Sequence, residues 1–101
     1  MNSEEINQIK NTILKDIKLI GGKNVSSYRK GAARNRIEEN VEVLTRRYIY
    51  RQALSNRDEL ARMIYKVIYE IEQELCLYLD TKQGKLDEKI TRVHHRIALF
   101  L

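Results

Sequence analysis

Apolar residues recur at steps of three and four residues along most of the chain, and no proline interrupts them. Such spacing places side chains on one face of an α-helix, because a helix turns once in about 3.6 residues. Proline breaks helix interiors, so its absence from all 101 residues is typical of a helical protein. The pattern predicts an all-α fold, and its first stripe comprises Ile6, Ile9, Ile13, Ile17 and Ile20.

Three later segments repeat this stripe, and each of them predicts a further helix. We expect helices over about 3–20, 27–54, 57–79 and 86–101. The expected core positions of the second helix are Ala33, Ile37, Val41, Leu44 and Tyr48. Those of the third are Leu60, Ile64, Val67, Ile71, Leu75 and Tyr78, and those of the fourth are Leu86, Ile90, Val93, Ile97 and either Phe100 or Leu101. Four amphipathic helices with short connectors predict an antiparallel bundle.

The expected helix ends carry residues that usually cap helices. Ser3 is predicted to cap the first helix, and Gly21 and Gly22 to end it, since glycine readily adopts the left-handed conformation of a C-cap. Ser55 followed by Asp58 predicts a cap for the third helix. No glycine or proline separates the second helix from the third, so a continuous or bent helix stays an alternative there.

Length and composition predict one domain over 1–101, in a reducing compartment. Hydrophobic residues make up 43% of the chain, which excludes the composition of a disordered protein. The single cysteine, Cys76, allows no intrachain disulfide. The most apolar window, 60–79, is interrupted by five charged residues, which a membrane span does not tolerate. We therefore expect a cytoplasmic protein with no membrane partner.

Positive charge is concentrated in one segment of the chain. The net charge is +5, and residues 23–51 include eight basic but only three acidic side chains. The next segment, 52–80, contains three basic and six acidic side chains. Either these two segments attract each other within the fold, or the basic segment faces an anionic partner.

The second helix carries another stripe beside its core stripe. Its members follow at steps of four and three: Arg36, Asn40, Val43, Arg47, Tyr50 and Leu54. Arginine binds phosphate or carboxylate through two parallel hydrogen bonds, and tyrosine stacks on a base or fills a protein pocket. The predicted binding residues, which include the basic start of the helix and the seam between its stripes, are Arg29, Lys30, Arg36, Asn40, Arg47, Tyr50 and Arg51. The alternative is that the apolar members pack on another helix while arginine stems cover the rim.

No group of side chains in the sequence has the spacing of a catalytic or metal site. His94 and His95 are adjacent, so they point about 100° apart on a helix and do not share a metal ion. Cys76 lies at the edge of a helix stripe among leucines. A thiol–imidazole pair of Cys76 with His94 is one interpretation, but a buried cysteine usually behaves as a small hydrophobic residue, and we favour that interpretation. We therefore expect no metal, no cofactor and no enzymatic activity.

Two functions remain after these exclusions. The first hypothesis is a small basic helical protein that binds nucleic acid or a nucleoprotein complex through the second helix. The alternative is a helical adaptor or inhibitor that docks on another protein, or forms a homodimer, through the same face. Small four-helix immunity proteins and helical inhibitors encoded by mobile elements share this size and architecture, which is an analogy of fold alone.

Overall fold

Four α-helices make up the part of the chain that the structure describes. The structure is a computed structural model, and it describes residues 2–54, 57–80 and 88–99, with the backbone alone over 78–80. The helices are α1 (Ser3–Ile20), α2 (Ser27–Leu54), α3 (Glu59–Asp80) and α4 (Glu88–Ala98). In the described residues no strand accompanies them, and the helices pack against one another, so the predicted all-α bundle is confirmed.

The helices α2 and α3 form the centre of the bundle. α1 packs against both of them, and α4 packs against the same pair. In the described residues α1 and α4 do not contact each other, so they lie on opposite sides of the central pair. None of these helices combines the length with the apolar composition that crossing a membrane would need.

The apolar stripes form one continuous core. Of the predicted core positions whose side chains are described, Ile9, Tyr48 and Leu60 are half-buried at its edge. Tyr78, Leu86, Phe100 and Leu101 lie outside the described side chains. Burying a large aliphatic side chain contributes about 1.5–3 kcal/mol relative to leaving it exposed, so the stripes drive folding. The remaining predicted core positions are buried as expected: Ile6, Ile13, Ile17, Ile20, Ala33, Ile37, Val41, Leu44, Ile64, Val67, Ile71, Leu75, Ile90, Val93 and Ile97.

The ends of α1 differ from the prediction. Asn2, not Ser3, is the N-cap, and its side-chain Oδ1 accepts a hydrogen bond of 2.9 Å from the N–H of Glu5. Ser3 is the first helical residue, because the extended backbone that a cap requires lies at Asn2. Gly21 ends the helix at φ −76°, in the right-handed region, so the predicted left-handed cap does not form there. At Gly22 an added Cβ would lie 2.8 Å from a side-chain carbon of Val25 and 3.2 Å from the carbonyl oxygen of Leu19, so a larger residue would displace its neighbours.

The third helix is separate from the second, and Asp58 caps it. Oδ1 of Asp58 accepts hydrogen bonds from the backbone N–H groups of Leu60 (2.8 Å) and Ala61 (3.3 Å). The helix therefore begins at Glu59 rather than two residues earlier, because the capping residue itself is not helical. Ser55, the other half of the predicted cap, lies outside the described residues, as do the predicted first and last residues of the fourth helix.

Candidate partner-binding face of the second helix

The structure divides the predicted binding residues of α2 into groups with different surroundings. Arg36 and Arg51 form ion pairs within the fold. Arg47 and Tyr50 are exposed on the outer surface of the bundle. The difference arises because neighbouring elements supply acidic side chains at some positions along α2 and not at others. Spacing along one helix carries no information about those neighbours.

Arg36 is held by Asp16, a buried residue of α1. The guanidinium Nη2 donates to Oδ1 at 2.9 Å and Nε donates to Oδ2 at 3.1 Å, which is a bidentate arrangement. The Asp16 side chain is only 6% exposed, whereas the Arg36 side chain is 46% exposed. The hydrogen bond from Arg36 to Asp16, together with the negative charge of Asp16, raises the pKa of Arg36 above its ordinary value. Arg36 therefore links α1 to α2, and its charge is engaged within the fold.

Removing either partner of this ion pair should lower the free energy of unfolding, but by different amounts. Arg36→Met leaves the buried carboxylate of Asp16 without its bidentate partner, whereas Asp16→Asn leaves an arginine that already reaches solvent. We expect the loss in free energy of unfolding caused by Arg36→Met to be roughly twice the loss caused by Asp16→Asn. The reason is that Arg36→Met leaves an uncompensated buried charge, which costs more than an unpaired arginine in contact with solvent. Urea unfolding followed by circular dichroism measures both losses. A larger loss for Asp16→Asn would contradict the structural role assigned to this pair.

Arg51 also forms an ion pair within the fold. Its Nη1 donates to Oδ2 of Asp58 at 3.1 Å, and the two side chains are 32% and 14% exposed. The same carboxylate caps α3 through its other oxygen. The pair therefore ties the end of α2 to the start of α3. It is one instance of the predicted attraction between the basic second segment and the acidic third one.

The outer side of α2 presents a surface that we call the α2 seam, formed by Val43, Arg46, Arg47, Tyr50 and Leu54. The first four of these residues line a shallow groove, and Leu54 lies about one helical turn beyond Tyr50. Val43, Tyr50 and Leu54 are 39%, 57% and 59% exposed. The alternative, in which these apolar side chains pack on another helix, is therefore not found in the part of the chain that the structure describes.

Arg46 belongs to the α2 seam although it was not among the predicted binding residues. Its spacing from Glu42 predicts a local ion pair, and the structure contains that pair. Exposed pairs four residues apart on a helix are worth only about 0.3–0.5 kcal/mol, and the Arg46 side chain stays 77% exposed. The signal that identifies Arg46 is its position three residues after Val43 and four before Tyr50, on the same helix face.

The remaining predicted binding residues lie away from the α2 seam or at its inner edge. Asn40 is half-buried, about one turn before the seam begins. Arg29 is exposed and Lys30 half-buried at the start of α2, about 27 Å along the helix from Arg47. The Ser26 hydroxyl accepts a hydrogen bond of 3.2 Å from the N–H of Arg29, so a serine cap occupies this helix start. The structure thus brings Arg47 and Tyr50 together, whereas Arg29 and Lys30 lie apart from them at the start of α2.

The surroundings of Cys76 correct a further expectation from the sequence. Cys76 is half-buried rather than enclosed in the core, and its Sγ lies 3.4 Å from Nε2 of His94 on α4. Glu72, one turn before Cys76 on α3, contacts the same imidazole. The four-residue spacing of Glu72 and Cys76 indicates a shared helix face, but His94 follows Cys76 by 18 residues and only packing brings it to this face.

Comparison with known proteins adds no second line of evidence about the α2 seam. The chain matches no protein-family model, no curated protein and no solved structure. The surface is therefore interpreted from its own chemistry, which combines three exposed apolar side chains with two arginines on one helix face. Exposed apolar, tyrosine and arginine side chains are of the kind that supplies binding free energy at protein interfaces.

Proposed function

We propose that this chain is a non-catalytic binding protein whose α2 seam docks on an acidic surface of a partner protein. One observation carries the proposal: three exposed apolar side chains and two arginines share one face of α2. Val43, Tyr50 and Leu54 supply apolar area for burial, and Arg46 and Arg47 supply planar donors for carboxylates. A cytoplasmic location is part of the same proposal, because a single cysteine offers no intrachain disulfide.

The composition of the α2 seam favours a protein partner over nucleic acid. Tyrosine and arginine are enriched at hot spots of protein interfaces, and the weaker contacts around them exclude water. Binding to nucleic acid draws instead on many cations that neutralise successive phosphates. Arg36 and Arg51 would belong to such a row, but Asp16 and Asp58 already pair with them.

The charge of the α2 seam favours a different protein over a second copy of this chain. The seam contains no carboxylate of its own, and Glu42 beside it sets one negative charge against two arginines. In a symmetric dimer built on this face, the arginines of one copy would approach those of the other, and like charges in an interface are unfavourable. An acidic surface is complementary both to the seam and to the net charge of +5.

Site-specific photo-crosslinking tests this proposal. A photoreactive phenylalanine analogue replaces Tyr50 in one variant and Tyr69 in a matched control, since these tyrosines are 57% and 51% exposed but lie on α2 and α3. Both variants are irradiated in the cells that produce the chain, and the adducts are digested with nuclease and identified by mass spectrometry. We expect position 50, but not position 69, to form a discrete adduct with an acidic protein.

Three results of this experiment would contradict the proposal. An adduct that nuclease removes would favour the nucleic-acid hypothesis instead. An adduct of two copies of the chain would favour the homodimer. Adducts of equal yield and identity from positions 50 and 69 would show that the α2 seam is not a specific docking surface.

A further inference from the structure

Three potential metal ligands converge between α3 and α4. Glu72 and Cys76 lie one turn apart on α3, and His94 faces them from α4. Nε2 of His94 lies 3.3 Å from Oε1 of Glu72 and 3.4 Å from Sγ of Cys76. The third separation, between Sγ and Oε1, is 3.8 Å. All three donor atoms therefore surround one small space.

These separations resemble the edges of a zinc coordination tetrahedron. Zinc binds sulfur at about 2.3 Å, imidazole nitrogen at about 2.0–2.1 Å and carboxylate oxygen at about 2.0–2.2 Å. With tetrahedral angles, these bond lengths give distances of about 3.3–3.7 Å between ligand atoms. The observed distances of 3.3, 3.4 and 3.8 Å require only a small adjustment to hold an ion.

Pairwise hydrogen bonds link the three groups: the Cys76 thiol donates to Oε1 of Glu72, and Nε2 of His94 lies within hydrogen-bond distance of both partners. The thiol and the carboxylate both face Nε2 of His94, and a ring nitrogen carries at most one proton. A catalytic relay instead uses the two nitrogens of an imidazole for its two partners. All three donor atoms lie within 4.8 Å of one another, which is the mutual proximity that a shared metal ion requires.

The second oxygen of Glu72 is an independent indication of a cation. The Glu72 side chain is only 10% exposed, and its Oε2 is buried without a hydrogen-bond partner among the described residues. An ionised carboxylate is costly to bury unless its charge is compensated. A divalent cation bound at the adjacent Oε1 supplies that compensation.

We propose that Glu72, Cys76 and His94 bind a zinc ion that links α4 to α3. A thiolate, an imidazole and a carboxylate favour zinc over the hard cations magnesium and calcium. Three protein ligands leave the fourth position of the tetrahedron to water, and the partial exposure of Cys76 and His94 provides a path of entry. Binding releases the thiol proton to solvent. The ion fastens a helix of only 11 residues to the centre of the bundle.

Cobalt substitution tests this proposal, because Co²⁺ occupies zinc sites and is coloured when a thiolate binds it. The reduced, chelator-treated full chain is titrated with Co²⁺ and then with Zn²⁺. We expect one Co²⁺ per chain, with a thiolate-to-cobalt charge-transfer band in the near ultraviolet and tetrahedral bands in the visible. Zn²⁺ should remove these bands by displacing the cobalt. A titration that shows no charge-transfer band would overturn the proposal.

The two adjacent histidines provide a matched control. His94→Gln removes a ligand, whereas His95→Gln changes an exposed neighbour that points about 100° away on the helix. We expect His94→Gln to weaken cobalt binding roughly 100-fold or more, since loss of an outer-shell partner alone costs about 10- to 100-fold. His95→Gln should leave the affinity unchanged, and Cys76→Ser should abolish the charge-transfer band.

Circular dichroism of each metal-free variant shows whether it has kept its helices. If His94→Gln unfolds the chain, Glu72→Gln replaces it, and we expect Glu72→Gln to weaken cobalt binding by the same factor. If His95→Gln weakened cobalt binding as much as His94→Gln or Glu72→Gln did, that result would contradict the assignment of His94 and Glu72 as metal ligands. The measurement involves no partner protein, so its outcome is independent of docking by the α2 seam.

Discussion

Leucine-to-alanine substitution at position 75 should lower the free energy of unfolding by about 2–5 kcal/mol. Leu75 is 1% exposed and belongs to the hydrophobic core, so its truncation removes apolar contacts and leaves a cavity. A domain usually has a total free energy of unfolding of only about 5–15 kcal/mol, and Leu75→Ala removes a large fraction of it. Urea unfolding followed by helical circular dichroism measures the loss.

Leu77 is the matched control for this substitution. It lies two residues further along α3 but is 58% exposed. Leu77→Ala should change the free energy of unfolding by less than about 0.5 kcal/mol, which is usual for an exposed position. Residue type, helix and chemical change are the same in both variants, so the difference reports burial. Similar losses at the two positions would mean that the face of α3 that carries Leu75 does not pack against the core.

Charge reversal of Arg47 should weaken binding of the crosslinked partner about 30-fold or more. Arg47 lies within the α2 seam, and Arg47→Glu converts attraction to an acidic surface into repulsion. At interface hot spots such a change costs about 2 kcal/mol or more, which corresponds to that factor. Isothermal titration calorimetry with the partner identified by crosslinking measures the affinity.

Arg62→Glu is the control for this prediction, because Arg62 is an exposed arginine of α3 and its reversal changes the net charge equally. We expect it to lower the affinity by less than about threefold, through the long-range field alone. Raising the salt concentration should reduce that long-range effect and leave much of the Arg47→Glu effect. Equal effects of the two substitutions would indicate that net charge, rather than the α2 seam, governs binding.

The positions of the helices were predictable because they depend on local spacing. Residues such as Ile37 and Val41 share a helix face whatever the rest of the chain does. The helix ends were harder to predict, because a single side chain decides a cap. Asn2 caps α1 in place of the neighbouring serine, and Asp58 caps α3 by itself. A shift of one or two residues at an end leaves the core stripe unchanged.

The second stripe of α2 could be located from the sequence, but its exposed part could not. Arg36 and Arg47 lie on the same side of the helix by their spacing. Only the packing of α1 decides that Arg36 meets Asp16, while Arg47 faces solvent. Arg46 belongs to the α2 seam although it pairs with Glu42, because that ion pair leaves most of the Arg46 side chain exposed.

The amino-acid sequence by itself determined that the chain forms amphipathic helices, which residues build their core, and that positive charge is concentrated on α2. Only the tertiary structure decided which of those charges are paired and that Glu72, Cys76 and His94 meet. The physical reason is the separation along the chain of the residues that interact. A helical stripe depends on backbone geometry within a few residues. A contact between residues 18 or 20 positions apart depends on how separate helices pack.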